Sequence, residues 1–458
     1  MNKTIIIKKI IPITVTVIIA LTVFFLRPMG MDAQQSATVA LILLVITFWT
    51  TQIVDKTIAS CILILGFLFF SGAPAGVVLT FPRSEAFLLI ALTYLFTRGI
   101  INSGIVDTVL EPILIRTAKT PFRSICAIIL MLLLTIFLIP QPLARLIIVA
   151  EMFSRFLVKN GTPENGRKAL LFAVFTLYIF INATMLRADI ILNTVTVDVA
   201  GISGFSDFEW ISYMAVPTLA YMAIVVVILL VVFRKKLPRD CMNNGAIYSS
   251  EEERQKQKVD WKILVLIVGT MALWITESLH GINNWIVTLI SILIMFLFKL
   301  LSLKDFRAID VPALVFLTAA LAIGWVMRSN GAADIVFLSI RALSPELGVH
   351  GYIAVIMVIT ICMHMILGSN TTTVSVVIPG MVVMYGNMLP VEIIMFVVYI
   401  TTATQWLLPF HSVGMMIGES KGFFPASYMF SVGMVLTIIV FIAMFGLYLP
   451  WWQLMGFL

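Results

Sequence analysis

The sequence predicts an all-α polytopic membrane protein with about 11 transmembrane helices and two re-entrant helical hairpins in an inverted-topology repeat. The first observation behind this prediction is the composition. Of the 458 residues, 61% are hydrophobic and 12% are charged, and the mean hydropathy is +1.08. A water-soluble fold would need more polar surface. The second observation is that the two halves of the chain carry the same series of interrupted apolar segments.

Apolar stretches of spanning length recur along the chain, and no segment has the composition of a separate soluble domain. Clear examples are residues 10–26, 38–54, 216–233, 263–274, 285–298 and 436–449. Lysines precede the first stretch and no small-residue cleavage site follows it, which favours a retained helix over a signal peptide. The four cysteines are scattered without ligand spacing, so neither a disulfide framework nor a metal site is indicated.

The distribution of basic residues predicts the orientation. If the N-terminus is cytoplasmic, most Lys and Arg residues fall in inward-facing connections, including the longest polar stretch, residues 234–262. We therefore predict a multi-pass protein of the cell (cytoplasmic) membrane, embedded in the lipid bilayer, with its N-terminus in the cytoplasm and its C-terminus outside. The net charge of +7 reflects this topology and does not indicate a nucleic-acid partner.

The internal repeat predicts how the chain is organised. Residues 83–104 resemble residues 307–331, because each is a long apolar helix that ends in a Ser/Asn-Gly break. In each half an apolar segment follows that is interrupted near its centre and is too short for two crossings, which predicts a re-entrant hairpin. Polar interruptions at residues 181–193 and 402–420 predict one unwound helix per half.

These observations set the domain boundaries. The predicted units are residues 1–82 for N-terminal scaffold helices, 83–212 for the first repeat (hairpin about 122–158, unwound helix about 169–194), 213–306 for further scaffold helices with the cytoplasmic loop 234–262, 307–430 for the second repeat (hairpin about 351–388, unwound helix about 391–420) and 431–458 for the last helix.

The first hairpin follows a basic, inward connection and the second follows an outward one, so the two halves are inverted. Inverted repeats with broken helices are typical of secondary transporters, whose site lies near the bilayer midplane. No Gly-Lys-Ser/Thr phosphate loop indicates ATP-driven transport. A membrane enzyme acting on lipid-linked substrates would need acidic or His clusters, and no Asp-rich loop occurs in the sequence. A channel would repeat one pore lining around an axis, whereas the broken segments of the two halves differ in chemistry. We therefore predict a transporter rather than an enzyme.

The second hairpin contains the most unusual stretch, ILGSNTTTVSVVIPG at residues 366–380. Ser369, Asn370 and three threonines follow Gly368 there. A hairpin tip exposes backbone N–H groups at the start of its return helix, where the macrodipole is positive, and small polar side chains add donors and acceptors. This predicts a binding surface for a carboxylate or, with its carbonyls, a small cation. The alternative is that these residues only hold helices together.

Four ionisable residues have apolar neighbours that imply burial: Arg145, Arg187, Asp189 and His411. A charge at the bilayer centre costs roughly 2.5 to 3.5 kcal/mol, so each of them needs a partner, a cavity or a substrate. Two arginines favour an anionic ligand. Alternatively, Arg187 and Asp189 pair with each other and hold the broken helix open.

At these residues the sequence resembles the divalent anion/sodium symporter (DASS) family. That family carries a Ser-Asn-Thr motif at both hairpin tips, and the second tip has it as Ser369, Asn370 and Thr371. The resemblance implies a homodimeric, elevator-type carrier for C4 to C6 di- or tricarboxylates. Sodium sites in the family use the hairpin tips and the neighbouring unwound loops.

The first tip departs from the family pattern. It reads IPQPLAR at residues 139–145, where the exchanger branch typically has Pro-Ser-Asn-Thr-Ala-Arg, so Pro140, Ala144 and Arg145 match the ends of that motif. This branch includes plastid 2-oxoglutarate/malate translocators and bacterial citrate/succinate antiporters. The loss of Asn and Thr at this tip argues against at least one of the family's sodium sites.

We therefore predict a transporter that exchanges small dicarboxylates of the succinate, malate and 2-oxoglutarate class without sodium. Arg145, helped by Arg187 and a protonated His411, would supply the positive charge that coupled sodium supplies in symporters. Without an anion the arginine would be an uncompensated buried charge, which favours obligatory exchange.

The alternative is a di- or tricarboxylate symporter of the same fold, coupled to sodium or protons. No cofactor or metal site is predicted beyond that possible Na⁺ or H⁺ coupling. The candidate substrate-binding residues are Ser369, Asn370, Thr371, Thr372, Gln141, Pro142, Arg145, Arg187, His411 and Ser412.

Overall fold

The computed structural model describes residues 3–51, 53–118, 120–202, 204–237, 261–335, 347–367, 369–407 and 411–458. Within these ranges the chain is helical and contains no β-strand. The prediction of an all-α polytopic membrane protein is confirmed. Most of the predicted cytoplasmic loop, residues 238–260, lies outside the described residues, as does Gly368 of the second tip.

The α-helices follow one another with short connections. In chain order they are α1 (Lys3–Leu26), α2 (Ala33–Thr51), α3 (Lys56–Phe70), α4 (Ala75–Val78), α5 (Glu85–Asn102), α6 (Ile105–Thr117), α7 (Pro121–Ile136), α8 (Pro142–Lys159), α9 (Glu164–Ala183), α10 (Leu192–Ala200), α11 (Asp207–Val232), α12 (Trp261–Ile275), α13 (Glu277–His280), α14 (Asn284–Leu297), α15 (Val311–Ser329), α16 (Val349–Leu367), α17 (Asn370–Tyr385), α18 (Val391–Ala403), α19 (Val413–Ser420), α20 (Ala426–Ala443) and α21 (Leu449–Leu454). Short 3-10 helices lie at Pro28–Gly30, Phe81–Arg83, Leu186–Asp189 and Leu303–Ala308, and a π-helical turn, Met444–Tyr448, joins α20 to α21.

Five stretches of the described chain are helical, long and apolar enough to cross a membrane. They are Glu85–Asn102, Glu164–Ala183, Asp207–Val232, Val311–Ser329 and Ala426–Leu454. Their burial differs: 89% of the α9 window is buried, against 33% of the α11 window. Apolar side chains on α11 and α20, such as Val227 and Ile438, are largely exposed. In a bilayer these faces contact lipid, so α9 is a central helix and α11 a peripheral one.

Local sequence explains several helix boundaries. Ser206 caps α11 through a reciprocal capping box with Glu209. Asp55 caps α3, and the backbone N–H groups of Ile58 and Thr57 hold the pKa of its carboxyl below the usual value. At the other end of a helix, Gly104 (φ 69°) and Gly331 (φ 74°) adopt the left-handed conformation just after α5 and α15. The two helices that match in sequence therefore also stop in the same way.

Each half contains one helical hairpin that packs on one central helix. In the first half α7 and α8 pack against each other and against α9. In the second half α16 and α17 pack against each other and against α18. The first tip is buried, because Leu138 and Ile139 are 6% and 0% exposed. The first hairpin thus ends inside the protein, and Leu367, just before the second tip, is also buried.

The chain breaks after each central helix, and the segments beyond the breaks cross into the other half. After α9 the 3-10 turn Leu186–Asp189 leads to α10, which packs on α17 of the second hairpin. After α18 the described residues 404–407 form a non-helical stretch, and α19 further along the chain packs on α9. A side chain at Gly433 of α20 would collide with the carbonyl oxygen of Trp406 in that stretch, so this position needs glycine. The segment beyond each break thus contacts the other half of the chain.

Candidate functional site

Four helix N-termini converge on one cavity between the halves. The cavity has a volume of about 120 Å³, which is small compared with the pockets that hold drug-sized ligands. The first residues of α8, α10, α17 and α19 all line it. Its lining consists of Pro142, Leu143, Tyr178, Ile179, Asn182, Asp189, Ile191, Leu192, Ser369, Asn370, Thr371, Tyr399, Ala403, Ser412, Val413 and Gly414. Because a helix N-terminus carries partial positive charge, this arrangement favours an anion.

The second tip forms the most polar wall. Ser369 is the N-cap of α17, yet its side chain makes no capping bond in the described structure. The first N–H groups of α17 have no intrahelical acceptor, and they belong to residues that line the cavity. The Oδ1 atom of Asn370 and the hydroxyl of Thr372 are buried and have no hydrogen-bond partner in the described part of the chain. Thr372 itself is fully buried, one residue beyond the lining residue Thr371.

The first tip contributes Pro142 and Leu143 to the wall. Gln141 takes a different place, because it is the N-cap of α8 and its side-chain oxygen accepts a hydrogen bond from the Ala144 backbone N–H. Pro142 occupies the first position of the helix, where the missing N–H costs nothing. The candidate Gln141 is thus a capping residue next to the cavity.

Arg145 lies directly behind the cavity wall and is fully buried. Its guanidinium donates to the carbonyl oxygens of Ile139 (3.3 Å) and Ala188 (2.5 Å) and to Asn182 Oδ1 (2.5 Å). The guanidinium carbon also lies 5.8 Å from the centre of the Tyr178 ring. Asn182 and Tyr178 both line the cavity, so the positive charge is one side chain away from it.

Among the cavity-lining residues that the structure describes, Asp189 is the one with a charged side chain. Its Oδ1 accepts from the backbone N–H groups of Ile191 (3.2 Å) and Leu192 (3.0 Å), and its Oδ2 accepts from Asn182 Nδ2 (3.3 Å). Asn182 therefore bridges Asp189 and Arg145. We expected Arg145 to lack a compensating charge in the absence of an anion. This expectation is wrong, because the Asn182 side chain bonds the Arg145 guanidinium with its oxygen and the Asp189 carboxylate with its nitrogen.

The structure does not bring Arg187 to the cavity. Arg187 points into a separate pocket, where Nη2 contacts Glu277 Oε2 at 2.8 Å and Nε pairs with Asp207. Asn284 also donates to Glu277. The suggested Arg187–Asp189 pair is therefore wrong. Arg187 is neutralised by two acidic residues distant in sequence, and it connects the first break to the connection between α12 and α14.

The second break supplies Ser412 and His411, and His364 of α16 lies beside His411. Ser412 is the N-cap of α19 and lines the cavity. His411 is buried, its Nδ1 accepts from the Leu407 N–H (3.2 Å), and its ring lies 5.2 Å from that of His364. His364 is also buried and joins Thr373 Oγ1 (2.8 Å) to the carbonyl oxygen of Gln405 (3.1 Å). The two imidazoles thus connect the second tip to the second break.

Several lining residues were not among the candidates. Asn182 lies in the polar interruption at residues 181–193, so its position held a usable signal. Tyr178 and Tyr399 lie inside apolar runs that look like ordinary core. Tyr399 donates to Asn193 Oδ1 (2.7 Å), and Asn193 in turn donates to the backbone carbonyls of Asn182 and Met185. This chain of hydrogen bonds fixes the first break against α18.

Comparison with known proteins decides the family. A family model described as the sodium:sulfate symporter transmembrane region matches residues 4–458. The chain belongs to this family. The match confirms the resemblance to the DASS family over nearly the whole chain, and this DASS protein is a multi-pass membrane protein. The family description names a symporter, which agrees with the prediction of a transporter rather than an enzyme.

One curated relative is also similar to this DASS protein. An uncharacterized transporter of Methanocaldococcus jannaschii is 24% identical over 248 residues, which cover 52% of this chain. The alignment spans 55% of that relative, so the chain covers about half of the curated protein it matches. Its description adds the word transporter and no substrate.

Proposed function

We propose that this DASS protein exchanges small dicarboxylates of the succinate, malate and 2-oxoglutarate class across the cytoplasmic membrane without sodium. The observation that supports this most is the buried guanidinium of Arg145, one side chain behind a cavity lined by four helix N-termini. A dianion needs positive potential before it can leave water for a low-dielectric site. Here Arg145 and the helix N-termini supply positive potential, which the carboxylate of Asp189 opposes.

The second tip and the second break are suited to hold carboxylates. The first N–H groups of α17, together with Ser369, Asn370 and Thr371, face the cavity from one side, and Ser412 at the start of α19 also lines it. Such N–H groups and hydroxyls are typical donors to a carboxylate. Tyr178, Tyr399 and Asn182 add further polar groups. The small cavity volume favours a short dicarboxylate over a large anion.

Independence from sodium rests on how Arg145 is held. Its guanidinium donates hydrogen bonds to oxygens of Ile139, Asn182 and Ala188, so these oxygens already surround a fixed positive charge. A guanidinium remains protonated at any physiological pH. This charge stays with the carrier during the whole cycle, whereas a coupled ion would have to bind and leave.

Exchange is supported by the polar atoms that face the cavity. The N-termini of α17 and α19, which have no side-chain cap in the described structure, meet at the cavity, whereas Gln141 and Asp189 already accept from N–H groups at the starts of α8 and α10. Moving the carrier without an anion keeps the uncapped N–H groups of α17 and α19 without an acceptor in a low-dielectric environment, whereas a bound anion accepts hydrogen bonds from them. The loaded carrier therefore moves more easily than the empty one.

Two alternatives to sodium-independent dicarboxylate exchange are each supported by one observation. Asp189 in the cavity wall favours coupling to protons, which would make the protein a symporter of the same fold. The family description carries the words sodium and sulfate, and a tetrahedral dianion also suits helix N-termini. Both alternatives make predictions that differ from sodium-independent dicarboxylate exchange.

The larger assembly is also a proposal. From the family resemblance we propose a homodimer with elevator-type movement, in which the hairpins and breaks of both halves move as one unit against the remaining scaffold helices. From the basic residues we propose that the N-terminus is cytoplasmic and the C-terminus is outside.

Exchange can be tested in liposomes that contain the purified protein. Vesicles loaded with unlabelled succinate are expected to take up labelled succinate at least about tenfold faster than vesicles without internal anion, since about 1.4 kcal/mol of extra barrier for the empty carrier gives that factor. Replacing the internal succinate by malate, 2-oxoglutarate, citrate or sulfate defines the substrate class. Equal uptake with and without internal anion would reject exchange, and stimulation by sulfate alone would reject the dicarboxylate class.

A further inference from the structure

Asp189 places a carboxylate in the same cavity that we propose for a dicarboxylate. No other charged residue lines the cavity among the residues that the structure describes. Hydrogen bonds from Ile191 and Leu192 explain its role as a local cap for α10, but a cap has no need to face a ligand cavity. An ionised carboxylate there repels an incoming dianion, so its presence requires an explanation.

The two oxygens of this carboxylate differ in their surroundings. Oδ1 accepts two backbone hydrogen bonds, at 3.2 and 3.0 Å, whereas Oδ2 accepts only the 3.3 Å contact from Asn182 in the described structure. Oδ2 therefore has a lone pair that can take a proton without disturbing the cap. The protonated form would also offer an O–H donor to a ligand.

The groups around Asp189 set its electrostatics. The titratable or charged side chains that face it are Arg145 from α8, Tyr178 from α9, Tyr399 from α18 and Tyr94 from α5. Asp207 at the start of α11 pairs with Arg187, which lies in the same 3-10 turn as Asp189. Arg145 and the N-terminus of α10 stabilise the ionised carboxylate while the cavity holds no anion. A dianion in the cavity reverses this balance, because carboxylates that share one site cannot all stay ionised without a large cost.

We propose that Asp189 binds one proton when a dicarboxylate dianion enters the cavity and releases it when the anion leaves. The proton comes from the solution to which the cavity is open and goes to Oδ2, and no other bond is made or broken. This inference rests on the proposed function, since it assumes a dianionic ligand. In an exchange cycle each anion then crosses together with one proton.

Binding measurements on the purified protein test this proposal. Fumarate is a suitable probe because its carboxyl groups, which titrate near pH 4, stay ionised between about pH 6 and about pH 8. In weakly buffered solution the wild-type protein is expected to take up about one proton per fumarate bound, and its fumarate Kd is expected to rise by up to about tenfold per pH unit as the pH increases. Asp189→Asn keeps an oxygen for the cap but cannot take the proton, so we expect both effects to disappear.

The controls separate this role from a structural one. Asp198→Asn removes a carboxylate on α10 outside the cavity and is expected to keep the proton uptake. Thermal unfolding measures whether Asp189→Asn is folded. If the variant does not fold, proton uptake by the wild-type protein is the test of the proposal.

Three results would overturn the proposal. Fumarate binding without proton uptake rejects the role of Asp189 and leaves the dicarboxylate function intact. Proton uptake that survives in Asp189→Asn and is lost in His411→Gln assigns the proton to the imidazole instead. If neither fumarate nor succinate stabilises the wild-type protein at about pH 6 or about pH 8, the proposed function is rejected, and this inference with it.

Discussion

Arg145→Ala is expected to lower the rate of dicarboxylate exchange by at least about 100-fold. At a separation of about 8 Å and an effective dielectric constant of about 20, the guanidinium contributes about 2 kcal/mol for each unit of ligand charge. The substitution also leaves the carbonyl oxygens of Ile139 and Ala188 without their donor in a buried site. Labelled succinate exchange in liposomes measures the effect directly.

Two further variants separate charge from shape. Arg145→Lys retains the positive charge but cannot donate to three oxygens at once, so its rate should fall between those of the wild type and Arg145→Ala. Arg98→Ala removes a half-exposed arginine that pairs with Asp305 outside the cavity, and it should exchange like the wild type. An unchanged exchange rate in folded Arg145→Ala would remove this residue from the mechanism.

Asn370→Asp is expected to weaken dicarboxylate binding by about 100-fold with almost no change in shape. The substitution places a negative charge at the N-terminus of α17, in the wall of the cavity. Like charges about 5 Å apart repel by about 3 kcal/mol at an effective dielectric constant of about 20. Succinate-dependent thermal stabilisation of the purified variant provides the dissociation constant.

The comparison with Asn370→Ala isolates the charge. Alanine removes the amide without adding a charge, so its loss of affinity should be about 1 to 2 kcal/mol, the scale of one or two hydrogen bonds. Equal effects of alanine and aspartate would mean that the cavity does not bind an anion at this wall.

Periodic and local features made much of the fold predictable. Composition indicated the membrane class, and the glycines at 104 and 331 marked the ends of two matching helices because they need a left-handed backbone. The polar run at Ser369 and Asn370 stood out against apolar flanks, and it does line the cavity. Burial of Arg145 followed from the same contrast, since a charge among apolar residues needs an internal partner.

Long-range pairing was not predictable from one sequence. Arg187 looked like a ligand-binding or locally paired residue, but its partners Asp207 and Glu277 lie 20 and 90 residues away. Gln141 occupied the position of a motif serine, yet the following proline starts a helix and the side chain becomes its cap. Tyr399 gave no signal, because an aromatic residue in an apolar helix is usually core.

We propose, as the central claim, that a resident arginine replaces a coupled metal ion. Its most direct test is the succinate dissociation constant of the purified protein, measured by thermal stabilisation in sodium chloride and in choline chloride of equal ionic strength. We expect the two constants to agree within about twofold, and sodium alone to leave the unfolding temperature unchanged. Succinate affinity that rises more than about tenfold with sodium, or stabilisation by sodium alone, would contradict the claim.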